Sequence, residues 1–245
     1  MNIHLYPPYN KEKIQRAADA VLQVLQPGDV INQVNRFPWW AFHYNLAVKA
    51  IRIHQRRLFG RKSFYKDDHN MLFFDENSIL SVEPPRAILK PLTHFSMTRI
   101  SIYRLRIHRL DDEDIAFMRN TALQLVGEEY DVGQLLDRVV NRLLGYEWQQ
   151  RIRIFDFGKK KMVCSVGVRA VFEHLYQKQL RKEKPDQELW LFSEMNPDRW
   201  PVRKRKRFQG TDIDATTPAH FANSEYFQHE FELIARFDKG KRIFP

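Results

Sequence analysis

The chain has 245 residues, 43% hydrophobic and 13% aromatic, which is enough for one large core and unlike a disordered or fibrous composition. Its single cysteine excludes an internal disulfide and any zinc arrangement built on paired thiolates. Forty Lys and Arg against thirty Asp and Glu give a net charge of +10, which favours polyanionic partners such as nucleic acid, anionic lipid or an acidic cell-wall polymer. The N-terminus has no basic region followed by an apolar stretch, and no run reaches the ~18 apolar residues of a membrane span, so a cytoplasmic protein is expected.

Ile14, Ala17, Ala18, Val21, Leu22 and Leu25 recur at helical spacing, and Pro27 and Gly28 stop that helix before a strand beginning near Val30. "PWWAFHYNLAVKAIRIHQRRL" predicts a helix with Pro38 in its first turn and Lys49, Arg52 and Arg56 along one side as a basic ridge. No acid occurs between Asp29 and Asp67, and a second basic cluster, "RKRKR", spans Arg203 to Arg207. "HNMLFF" and "SILSVEP", separated by the turn formers of "DENS", predict a hairpin. "MTRISIYRLRI" is a further strand, and "LDDEDIAFMRNTALQLVG" a helix with acids at its start and Gly127 as its stop. A helix over Val132 to Leu144 precedes one beginning at Cys164 and reaching about Lys182, and the chain ends in a short helix opened by Thr217-Pro218 and a strand in "FELIARF".

Cys164 has two readings. A free cysteine commonly packs as a small apolar residue, whereas at a helix start the unpaired N–H groups and the helix dipole favour the thiolate. A nucleophile also needs a base, and nine histidines are available. His4 and His220 read as exposed, His43 and His54 lie on the basic helix, and His174 is too far along the Cys164 helix to meet it. His69 differs because it opens a strand whose hairpin partner brings Glu83 back beside it. A carboxylate there can hold the ring with its other nitrogen toward a sulfur. No histidine spacing makes a metal site, and "GRKS" at Gly60 lacks the earlier glycine and strand of a phosphate loop.

The order "LQPGDVI", "DDHNMLFF", "SILSVEPP", "GEEYD", "VCSVGVRAVF" and "TTPAHFANSEYF" resembles the circularly permuted papain-like hydrolases of the NlpC superfamily, above all the YiiX-like group. The resemblance covers Gly28 to about Phe237 and implies Cys164 as nucleophile, His69 as general base and Glu83 as orienting residue, with the Cys164 amide donating to the oxyanion. It departs from the family at Val166 and Gly167 after Cys-Ser, and in the basic insert and "RKRKR", which have no counterpart there.

The expected fold is α+β, papain-like in the permuted NlpC arrangement. An antiparallel sheet packs against helices, and the Cys164 helix faces the sheet edge that carries His69 and Glu83. The expected organisation is an N-terminal helix over 1–26, the papain-like domain over 27–237 with a basic helical insert at about 36–66, and a C-terminal tail over 238–245. The expected activity is that of a cysteine hydrolase or acyltransferase on an amide, ester or thioester of a cell-wall peptide or lipid, through an acyl-enzyme and without cofactor or metal. The alternative is a non-catalytic protein whose Lys49, Arg52, Arg56 and Arg203 to Arg207 hold nucleic acid or an anionic membrane.

Overall fold

The structure, a computed structural model, describes residues 10–35, 45, 48–49, 51–53, 55–56, 66–106, 110–130, 161–183, 217–223 and 231–244. The expected helix over Val132 to Leu144 and the "RKRKR" cluster lie outside the described residues.

Helix α1, Lys11–Leu22, starts at Asn10, whose side-chain oxygen accepts the Glu12 N–H at 2.9 Å, and buries Ala17, Ala18 and Val21. Gly28 then turns the chain at φ +90, where a side chain would also strike Leu110. Asp29 follows, buried, accepting the Gln26 N–H at 2.8 Å and two Arg104 bonds at 2.8 Å, so the Gly-Asp turn is locked to a later strand. Burial raises the Asp29 carboxyl above its ordinary range against the pull of Arg104.

Strand β1 is Val30–Val34, β2 His69–Asp75, β3 Ser78–Glu83, β4 Arg86–Lys90 and β5 Arg99–Leu105. Helix α2, Asp112–Leu125, begins at Asp111, whose carboxylate accepts the Asp114 N–H at 2.8 Å, with three acids in the first turn suited to the helix dipole. Short strands β6, Glu129–Tyr130, and β7, Lys161–Met162, lead to α3, Cys164–Glu183. Helix α4, His220–Asn223, precedes β8, Phe231–Asp238, and β9, Lys241–Phe244.

These strands form one nine-stranded sheet in the order β7-β6-β4-β3-β2-β1-β5-β8-β9, antiparallel except for the β6–β7 pair. The α+β class with an antiparallel sheet against helices is therefore as expected. Within the tail expected over 238–245, Lys241–Phe244 is a strand paired with β8, and Gly240 at φ +73 lets the hairpin turn approach Ala17 of α1. Helix α1 contributes Ala18 and Val21 to the core.

Central strands buried on both faces give the molecule two apolar layers. On one face Val30, Leu72, Leu80 and Tyr103 pack against Met118 and Ala122 of α2 and Val168, Val171, Phe172 and Leu175 of α3. On the other, Ile31, Met71, Phe73, Ile79, Ile100 and Ile102 pack against Ala18 and Val21 of α1 and against Leu92 and Phe95. Phe172 meets Phe231 edge-on with ring centres 5.3 Å apart, tying α3 to β8.

The basic helix is built into this body. Residues 45, 48, 49, 51–53, 55 and 56 are helical, Lys49 and Arg56 are exposed, and Ile51 and Gln55 are buried. Gln55 donates to the Asp67 carbonyl at 2.6 Å and accepts the Ala219 N–H at 2.7 Å. Arg52 pairs with the buried Asp68 and donates to the carbonyls of Asn35 at 2.7 Å and Lys66 at 3.1 Å. The expected ridge thus loses Arg52, whose guanidinium is committed inward, and retains Lys49 and Arg56.

Candidate active site

His69 and Glu83 are brought together, but through a third side chain. Met71 pairs with Ser81 across β2 and β3, so His69, two residues before Met71, projects on the same face as Ser81 and Glu83. The His69 Nε2 lies 2.9 Å from Ser81 Oγ, and Ser81 donates to Glu83 Oε2 at 3.2 Å. From the neighbouring strand the Lys90 ammonium binds Glu83 Oε1, with Phe95 5.9 Å from that ammonium. Burial, reinforced by Lys90 and opposed by Glu83, pushes the His69 ring down to about 4, so it is neutral near pH 7. A neutral imidazole has a lone pair to offer, and it holds a proton weakly.

Cys164 is the first residue of α3, reached from β7 through Val163, and the helix closes its first turn with the Gly167 N–H on the Val163 carbonyl at 3.0 Å. It is 4% exposed and packs against Val82 and Ala87, with Tyr130 beside them. Val82 alternates with Ser81 and Glu83 along β3, and Ala87 pairs with Val82. Cys164 therefore rests on the α3 face of the sheet, whereas His69, Ser81 and Glu83 project on the α1 face. The expectation that the Cys164 helix faces the edge carrying His69 and Glu83 needs correcting on two points. β2 and β3 are central strands, and strand alternation sends the two halves of the proposed triad to opposite sides of them.

The α3 face has its own polar cluster at this end of the sheet. Asn32 pairs with Asn70 across β1 and β2 and accepts a hydrogen bond from its side-chain amide. The Asn32 amide group donates to Asp67 at 3.1 Å and to the Pro218 carbonyl at 3.0 Å. Asn70 Oδ1 is buried without a hydrogen-bond partner among the described residues. His220, which reads as exposed in the sequence, is buried, and its Nδ1 accepts the Thr217 N–H at 2.9 Å. The signal that could have placed it is local: Thr217-Pro218 opens a tight turn three residues before the ring. One helical turn beyond the cysteine, Arg169 is buried and paired with Glu173 at 2.8 Å.

Burial raises the Asp67 carboxyl to about 6, against its Asn32 hydrogen bond, and the Asp68 carboxyl to about 7, against the Arg52 charge. Among the described residues no group of three or more His, Cys, Asp and Glu could hold a metal ion, and no helix is long and apolar enough to cross a membrane. The chain matches no protein-family model and no curated protein.

Proposed function

We propose that the chain is a cysteine hydrolase or acyltransferase of permuted papain-like type, acting in the cytoplasm on an amide, ester or thioester of a cell-wall peptide or lipid. The observation that carries this reading is the hydrogen-bonded line from His69 through Ser81 to Glu83, at the end of the sheet where α3 begins with Cys164. His69 takes the Cys164 thiol proton as the sulfur bonds to the carbonyl carbon and the π pair moves to oxygen, and the Cys164 amide donates to that oxyanion. Collapse expels the amine, alcohol or thiol, which takes the proton that the thiol gave to His69. Water or another acceptor then releases the acyl group, giving its proton to His69 as the sulfur leaves. Because sulfur and ring lie on opposite faces of β3, the reading requires the α3 start or the ring to come round the strand end before sulfur and nitrogen meet.

The test is the rate at which iodoacetamide alkylates Cys164 near neutral pH. Fast alkylation that is lost in His69→Ala supports the reading, and the slow alkylation of an ordinary buried thiol in both proteins counts against it.

The opposite-face placement favours a second reading, a non-catalytic protein that holds nucleic acid or an anionic membrane through Lys49, Arg56 and the basic residues Arg203 to Arg207. Affinity for DNA or anionic vesicles should then fall steeply with salt, and a flat salt response sinks it.

A further inference from the structure

Among the features outside the expected triad, Ser81 has the most constrained chemistry. It is fully buried, between a histidine nitrogen at 2.9 Å and a carboxylate oxygen at 3.2 Å. A serine hydroxyl has one proton to donate and lone pairs to accept with, whereas an ionised carboxylate only accepts. Lys90 supplies the charge partner on the other carboxylate oxygen of Glu83. Were the Ser81 proton turned toward His69, two bare oxygens would face each other at 3.2 Å with nothing between them. The Ser81 proton is therefore donated in a hydrogen bond to Glu83, and the Ser81 oxygen accepts a hydrogen bond from the His69 Nε2–H.

We propose that Ser81 is a positioning residue that fixes His69 as the Nε2–H tautomer and leaves Nδ1 as its proton-accepting nitrogen. Ser81 stands two residues before Glu83 on the same face of β3, between the carboxylate and the ring. The tautomer assignment stands on the hydrogen-bond geometry alone; calling Nδ1 the base toward Cys164 rests on the hydrolase reading. The charged groups bearing on the ring are Glu83 from β3 and Lys90 from β4, and Arg86 pairs with Glu83 across the same two strands.

The test is long-range 1H–15N correlation of the His69 ring in the full-length protein at neutral pH. The wild type should show a protonated Nε2 and a bare Nδ1 displaced far downfield of it. Ser81→Ala should lose this pattern and give a mixture of tautomers, and Ser81→Thr, which keeps a hydroxyl, should restore it. Glu83→Gln should also weaken the bias, since an amide can donate to Ser81 as well as accept from it. A wild-type ring protonated at Nδ1, or a folded Ser81→Ala protein with the wild-type pattern, overturns the proposal. The expected pattern together with slow alkylation of Cys164 would sink the hydrolase reading and leave this one standing. Fast His69-dependent alkylation with a tautomer indifferent to Ser81 would do the reverse.

Discussion

Cys164 and His69 belong to the same end of the β2–β3–β4 strands and to opposite faces of them: Cys164 packs on Val82 and Ala87, and His69 bonds to Ser81, the neighbour of Val82. One residue along a strand separates the two sides of the sheet. A thiol on the α3 side and a neutral histidine on the α1 side are each secured by their own layer of the core.

His69 titrates in the acid range. Its folded value of about 4 lies below the 6.5 of an exposed histidine, so the folded protein binds fewer protons than the unfolded chain between these two values. Its contribution to stability is complete above pH 6.5 and is lost as pH falls toward 4, by on the order of 3 kcal/mol. Denaturant unfolding at pH 7 and pH 4.5 should show a smaller acid loss in His69→Gln than in the wild type. Equal losses would show that the ring is not held neutral.

Asp68 titrates the other way. A folded value of about 7 against an ordinary 3.8 means that the folded state binds more protons in that interval, so this group favours folding at low pH and the benefit is lost as pH rises toward 7. The stability of Asp68→Asn relative to wild type should rise between pH 5 and pH 8. A flat difference would refute the assignment.

Arg52 anchors the basic helix, whereas Arg56 does not. Arg52→Ala strands the buried Asp68 carboxylate and should cost on the order of 3 kcal/mol at pH 8, less below pH 7 where Asp68 can take a proton. Arg56→Ala, at an exposed position, should stay within about 0.5 kcal/mol. Comparable effects in urea unfolding would mean that Arg52 is only another surface charge.

Phe172 lies in the apolar layer between α3 and the sheet, together with Leu72 and Leu80, and meets Phe231 of β8 edge-on. Phe172→Ala should destabilise by roughly 3–5 kcal/mol. Because the same helix seats Cys164, alkylation of the thiol should also speed up relative to wild type. A destabilised protein with unchanged alkylation would separate the helix start from the helix body.

The hairpin of β2 and β3, the apolar spacing of α1, the acidic start of α2 and the start of α3 at Cys164 were legible because each rests on local pattern: turn residues, capping side chains and helical spacing. Which helix covers which face was not. β2 is buried at His69, Asn70, Met71 and Leu72 in succession, so neither face is marked polar and nothing in the strand says where α1 or α3 docks. Short strands such as Arg86–Lys90 and Lys241–Phe244 carry too few residues for alternation to register. Arg52 reads as a ridge residue because helical spacing groups it with Lys49 and Arg56, and only the fold brings Asp68 against it.

Whether Cys164 and His69 act together is read from the second-order rate of Cys164 alkylation at pH 7 in wild type and in His69→Ala, with each protein's fold checked by circular dichroism. A paired thiol and ring give a wild-type rate above that of an ordinary thiol and a fall of about 100-fold on removal of the ring. Equal, slow rates in two folded proteins would contradict it and leave Cys164 as an apolar contact of Val82 and Ala87.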